Sequence, residues 1–265
     1  MSAVFSFFLG IIVGSFLNVV IYRYHTGETV SGRSRCLNCG ETLNWRELLP
    51  VVSYLWQRGH CRFCRSSISL QYPLVELGTG TLFFLTTVKL FSPFLMPVIN
   101  LILVWFIMSL LVIITAYDLR HKIIPDLIVY SFIFFSAGYT LVHNHNQFYS
   151  HFLASLMFFL VFAGLWFGSG GRWMGFGDAK LVLGIGFFLG PWRGLTALML
   201  GFWLGAAIGL ILVALAKLTA RTKQGKKSLL SRSPYFTIKS EIPFAPFLVA
   251  GTLLTYFLNL NVITF

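Results

Sequence analysis

Apolar runs long enough to cross a bilayer recur along nearly the whole of this 265-residue chain, at about 3–22, 74–91, 95–117, 125–142, 152–167, 178–189, 195–216 and 244–260. A spanning helix needs about 20 mostly apolar residues, and a backbone in hydrocarbon must satisfy its own hydrogen bonds, which a helix does. Hydrophobic residues make up 57% of the chain and charged residues 11%, whereas a soluble domain is about a quarter charged. The expected fold is therefore all-α and polytopic, with about eight transmembrane helices. The sixth run is short, so it is expected to be bent or partly inserted. The first run has no basic stretch before it and no small-residue cleavage site after it, and reads as a retained helix rather than a signal peptide.

Charge sets the orientation. Arg23, Arg33, Arg35, Arg46, Arg58, Arg62 and Arg65 follow the first run, and Lys217, Arg221, Lys223, Lys226, Lys227, Arg232 and Lys239 follow the seventh. Arg120, Lys122, Arg172 and Lys180 fall on the same side of an eight-helix count, against Lys89 and Arg193 on the other. Loops rich in Lys and Arg stay in the cytoplasm, so both termini are expected outside. The net charge of +12 is accounted for by this rule, with attraction of the basic loop 217–240 to anionic lipid, and nucleic acid is not needed as a partner.

All four cysteines lie in the loop after the first helix: Cys36-x2-Cys39, a gap of 21 residues, then Cys61-x2-Cys64. Two CxxC pairs at about this spacing read as a tetrathiolate zinc site. Four thiolates close the metal's shell, so the site is structural, and metal binding supplies folding energy that so small a loop lacks. Disulfides are the competing reading, but cytoplasmic thiols stay reduced. Gly40 and Gly59 suit tight knuckles. Trp45, Leu48, Leu49, Val51, Tyr54 and Leu55 are expected to pack on the membrane face of this unit. The expected division is a first helix at 1–22, a cytoplasmic four-cysteine domain at 23–73 and a seven-helix core at 74–265.

The chain has three aspartates, each at the edge of an apolar run: Asp118, Asp126 and Asp178. A carboxylate at a membrane boundary is costly to desolvate and marks a functional candidate. Pro125 suits the first turn of a helix, and Asp126 beside it is favoured by the helix dipole. Asp118 has no such account, because it ends a helix, where the dipole disfavours a negative charge. Asp178 closes the glycine-rich stretch 168–178, and helix capping is its alternative reading. Lys180, two residues on, does not face it on a helix. Two carboxylates held close share a proton and can activate a water against a peptide carbonyl. The chain shows no Ser/His/Asp set and no HExxH, and its cysteines are taken by metal, so the aspartyl route is the one left for peptide hydrolysis.

Six motifs in order along the chain resemble those of the type IV prepilin leader peptidases, also called prepilin peptidase/N-methyltransferases. They are Gly14–Arg23 (GSFLNVVIYR), the four-cysteine loop with Leu49–Tyr54 (LPVVSY) inside it, Gln71–Glu76 (QYPLVE), Asp118–Asp126, Gly175–Leu181 (GFGDAKL) and Ile242–Phe247 (IPFAPF). Ala245, Arg65 and Gln71 stand where the family commonly has Gly, Gly and Arg. The resemblance implies a bacterial inner-membrane aspartyl protease that removes the short basic leader of type IV prepilins or type II secretion pseudopilins, typically after a glycine. It implies Asp118 and Asp178 as the catalytic pair. It further implies methylation of the newly exposed N-terminal residue with S-adenosylmethionine; no residue pattern independently marks a donor site.

Other features are weaker signals. His143, His145 and His151 read as an exposed polar loop on the outer side. Gly201, Gly205 and Gly209 form a small-residue packing stripe. Glu76 reads equally as a residue that orients substrate or methyl donor and as a helix cap. The alternative functions are a proton-coupled transporter, opposed by the lack of an internal repeat and by aspartates at the membrane edge, and a zinc-stabilised scaffold without chemistry.

Overall fold

A computed structural model describes residues 2–24, 26, 29, 31–90, 98–143, 145–222 and 243–261, with backbone alone for 216–222. The helices are α1 (Ala3–Arg23), α2 (Val52–Trp56), α3 (Gln71–Leu90), α4 (Val98–His121), α5 (Asp126–His143), α6 (Phe148–Ser169), α7 (Phe176–Thr222) and α8 (Ala245–Leu258), and there is no strand among the described residues. Five of them, α1, α4, α5, α7 and α6 with the 3-10 turn before it, are long and apolar enough to cross a membrane. Counting the two arms of α7 separately and adding α3 and α8 gives eight segments, and the protein is a multi-pass membrane protein. The start of the third run (95–97) and most of the basic loop 217–240 lie outside the described residues.

The sixth and seventh runs form one element. α7 breaks at Gly190, with φ 76° and ψ −170°, followed by Pro191. Proline has no N–H to give the carbonyl four residues back, which is that of Phe187. Two side chains take over: Thr140 Oγ1 donates to Phe187 O at 2.6 Å, and His151 Nδ1 lies 2.8 Å from it. A carbonyl only accepts, so Nδ1 carries the proton. This corrects the reading of His151 as part of an exposed loop. It is buried within α6, which begins four residues before the expected start at 152. Of the other two, His145 is exposed and His143 sits by Asn100.

Close helix approaches fix the layout. A Cβ at Gly10 would lie 2.8 Å from Gly80 Cα, and one at Gly14 only 2.7 Å from Glu76 Cα, so α1 and α3 touch backbone to backbone. Gly201 and Gly205 face Leu248 and Phe247 of α8, as a packing stripe should. α4 is the buried centre, with Val104, Ile107, Met108, Leu111 and Ile114 fully enclosed, and it packs on α3, α5 and α8. Leu153, Leu160 and Val161 of α6 point outward, as side chains facing lipid do.

Candidate active site and four-cysteine centre

Asp118 lies one turn before the end of α4, because the helix continues to His121. It is buried, and its Oδ2 accepts from the Ala245 N–H at 3.2 Å. Ala245 is the first residue of α8. The charge that seemed misplaced at the end of α4 therefore sits at the N-terminus of α8, where unpaired N–H groups and the dipole favour an anion. The Ala245 bond spans 127 residues of sequence, so nothing local announces it.

Asp178 is also buried. Its Oδ2 accepts from the Gly175 N–H at 3.2 Å, and its own N–H donates to Gly175 O at 3.1 Å. It is thus the third helical residue reaching back over the helix start, half of a capping box, rather than the cap residue itself. Gly177 explains the second glycine of the motif. A Cβ there would lie 2.9 Å from Ile124 Cβ, so the start of α7 rests directly on the turn between α4 and α5. Asp118 and Asp178 come to the same end of the bundle, because the start of α7 rests on the turn that follows α4. In both, the second carboxylate oxygen receives no hydrogen bond from the described residues.

Asp126 starts α5 but is not spent on capping alone. Lys180 reaches it at 2.6 Å and lies over the Tyr130 ring. That pair turns Lys180 away from Asp178, as the two-residue spacing requires. Beside α4, a groove of about 710 Å³ runs between α3 and α8, with Leu74, Gly78, Ala116 and Val249 on its walls and Gln71 and Arg120 at its basic end.

The four cysteines converge. All are free, and their sulfurs lie within 4.8 Å of one another, with Cys36 Sγ 3.8 Å from Cys64 Sγ. A tetrahedron with metal–sulfur bonds of about 2.3 Å has edges of about 3.8 Å, so the cluster fits one metal ion. The two knuckles repeat: Cys36 N–H bonds Glu41 O and Gly40 N–H bonds Cys36 O, while Cys61 N–H bonds Ser66 O and Arg65 N–H bonds Cys61 O. The residue after each pair has positive φ, 74° at Gly40 and 55° at Arg65, which is why glycine suits the position. The Ser66 hydroxyl, 3.1 Å from Cys64 Sγ, and its backbone pull that thiol down to about 6, favouring the ligating thiolate. The apolar residues between the pairs divide by exposure. Trp45, Leu48, Leu49 and Leu55 are exposed, and only Val51 and Tyr54 are partly covered. Glu76 does not cap α3; its carboxylate accepts from the Val51 N–H.

Residues 8–90 match the family described as bacterial peptidase A24 N-terminal domain, and residues 105–210 match the type IV leader peptidase family. A prepilin leader peptidase/N-methyltransferase of Bacillus subtilis (strain 168) is 33% identical over 264 residues, covering 98% of this chain and 95% of the relative. One of Myxococcus xanthus (strain DK1622) is 36% identical over 247 residues, covering 90% and 72%. No solved structure matches the chain. These likenesses run from the first helix to the last, and the transporter reading finds no support among them: the chain belongs to the type IV leader peptidase family.

Proposed function

We propose that this chain is an intramembrane aspartyl endopeptidase that removes the basic leader of type IV prepilins or pseudopilins and then methylates the new N-terminus. The observation that carries the reading is the pair of buried carboxylates, Asp118 and Asp178, at one end of the bundle, each with one oxygen fixed by a helix-start N–H and the other without a hydrogen bond among the described residues. A pair that shares one proton holds a base and an acid together. The ionised carboxylate takes a proton from water as the water oxygen attacks the scissile carbonyl carbon. The protonated one gives its proton to the carbonyl oxygen. Collapse reforms the carbonyl and breaks the C–N bond, and the leaving nitrogen takes up a proton. The fixed oxygens keep both groups oriented throughout.

The basic end carries Arg23, Arg120 and Lys122, which orients it to the cytoplasm of a bacterial inner membrane. There the aspartates meet the boundary between a basic leader and an apolar segment. The four-cysteine unit, 23–73, is read as a zinc-stabilised domain beside the first helix at 1–22 and a seven-helix core at 74–265. Its ion is structural, because four thiolates leave no open position. S-adenosylmethionine, when bound, supplies an electrophilic methyl for the amine that cleavage exposes. The basic end of α1 and α3 suits its polar groups, since Asn18 Oδ1 and Gln71 Nε2 are buried there without a hydrogen-bond partner among the described residues. Partners are the prepilins and the bilayer, and nucleic acid has no part in this reading.

The test is an intact-mass assay of a purified prepilin in liposomes with the full chain. The expected result is loss of the leader, followed by gain of one methyl group only when S-adenosylmethionine is present. An unchanged prepilin after incubation with folded enzyme contradicts the proposal.

A further inference from the structure

Three motifs take no part in the aspartate site: Gly14–Arg23, Leu49–Tyr54 and Gln71–Glu76. They meet at one side chain. Glu76 is buried within α3, and its Oε2 accepts from the Val51 N–H at 2.7 Å. Ser15 of α1 stands near enough to influence the same carboxylate. Gly14 lets α1 press on Glu76 Cα, so the backbone that carries the carboxylate is held at a close approach of α1 and α3. Asn18 Nδ2 ties the two helices again, donating to Tyr72 O at 3.1 Å.

What the carboxylate holds is strained. Val51 has φ 61° and ψ −50°, and Val52 N–H closes a bond to Pro50 O at 2.6 Å. This is a γ-turn of the rare positive-φ kind, with a β-branched residue at its centre, where L side chains are outliers. Such a conformation persists only where its surroundings impose it, and it points to function rather than to folding economy. Here a carboxylate drawn from the membrane edge imposes it on the loop between the two cysteine pairs. Glycine at 51 would relieve the strain, yet the chain has valine.

We propose that Glu76 is a positioning residue: it locks the four-cysteine unit to the membrane helices, and methyl transfer depends on this lock while peptide cleavage does not. The second half rests on the proposed function. Its basis is spatial. Asp118 and Asp178 lie in α4 and α7, and the residues that bond them are Ala245 of α8 and Gly175 just before α7. Every residue of the lock lies in the N-terminal family segment, 8–90, which also holds the unpartnered Asn18 and Gln71 atoms.

The experiment compares wild type, Glu76→Ala and Glu76→Gln in liposomes, by hydrogen exchange over residues 49–56, metal content, melting, and rates of cleavage and methylation. Loss of a hydrogen bond to a charged group is expected to speed exchange of this segment in Glu76→Ala about tenfold or more. Bound metal and cleavage stay near wild type, and methylation falls about tenfold. Glu76→Gln keeps an acceptor for the Val51 N–H and restores most of both. Unchanged exchange in Glu76→Ala overturns the lock. Equal loss of the two activities in a folded variant, or full methylation despite a loosened loop, overturns its role. If wild type neither cleaves nor methylates, the proposed function fails instead, and the exchange comparison still decides the lock.

Discussion

Replacing Gly177 with alanine separates catalytic geometry from stability. The new Cβ would lie 2.9 Å from Ile124 Cβ and 3.3 Å from both its Cγ1 and Cδ1, against a comfortable carbon–carbon separation of about 3.5–4.0 Å. Ile124 Cβ is fixed by its own backbone, so about half an ångström or more of displacement falls on the first turn of α7 or on the α4–α5 turn. Overpacking of this kind costs about 1–3 kcal/mol, and alanine returns about 1 kcal/mol of helix propensity over glycine. The net change in stability is therefore small, and melting in detergent moves little. The rate does not escape so easily, because Asp178 is the next residue and a shift approaching 1 Å at a reacting group costs about 100-fold. Cleavage of a prepilin in liposomes is expected to fall about 10- to 100-fold. Gly175→Ala is the control. Its Cβ meets nothing closer than Asp178 Oδ2 at 3.7 Å, so activity stays within about twofold. Wild-type cleavage by Gly177→Ala, or an equal loss in Gly175→Ala, refutes the reasoning.

Three further outcomes follow from the same geometry. Cys61→Ser removes the most buried ligand of the cluster, so elemental analysis should show loss of bound metal, and hydrogen exchange should rise over 31–68 while α4 stays protected. His151→Ala leaves the Phe187 carbonyl with Thr140 as its remaining side-chain donor. Stability should fall by about 1–3 kcal/mol, read as lower melting, and with Thr140→Val added the two losses should not simply sum, since both serve one acceptor. Lys180→Met breaks an ion pair whose Asp126 side is 67% exposed; an exposed pair contributes about 0–1 kcal/mol, so cleavage should change less than fivefold and the difference should shrink as salt is added.

The sequence carried those parts of the fold whose signal is local. Apolar run length located eight segments, and cysteine spacing named the four sulfurs that converge. Pairings between distant elements had no such signal. Asp118 looked misplaced because its compensating N–H belongs to Ala245, far along the chain. His151 looked exposed because its neighbours in sequence are polar, while its partner is a carbonyl freed by Pro191 on another helix. Glu76 left two readings open, and neither named Val51, because the strain that reveals the contact is a property of backbone angles. Gly177 stood out in the sequence only as part of a glycine-rich stretch, but its role is the space it leaves for Ile124.

The most direct test of the central claim is the cleavage rate of Asp118→Asn and Asp178→Asn on a prepilin in liposomes, with melting and bound metal confirming the fold. If one carboxylate is the base and the other the acid, each substitution should slow cleavage by about 10²–10⁴-fold, and the double variant should be little slower than either alone. Cleavage near the wild-type rate by either folded single variant contradicts the paired-aspartate account.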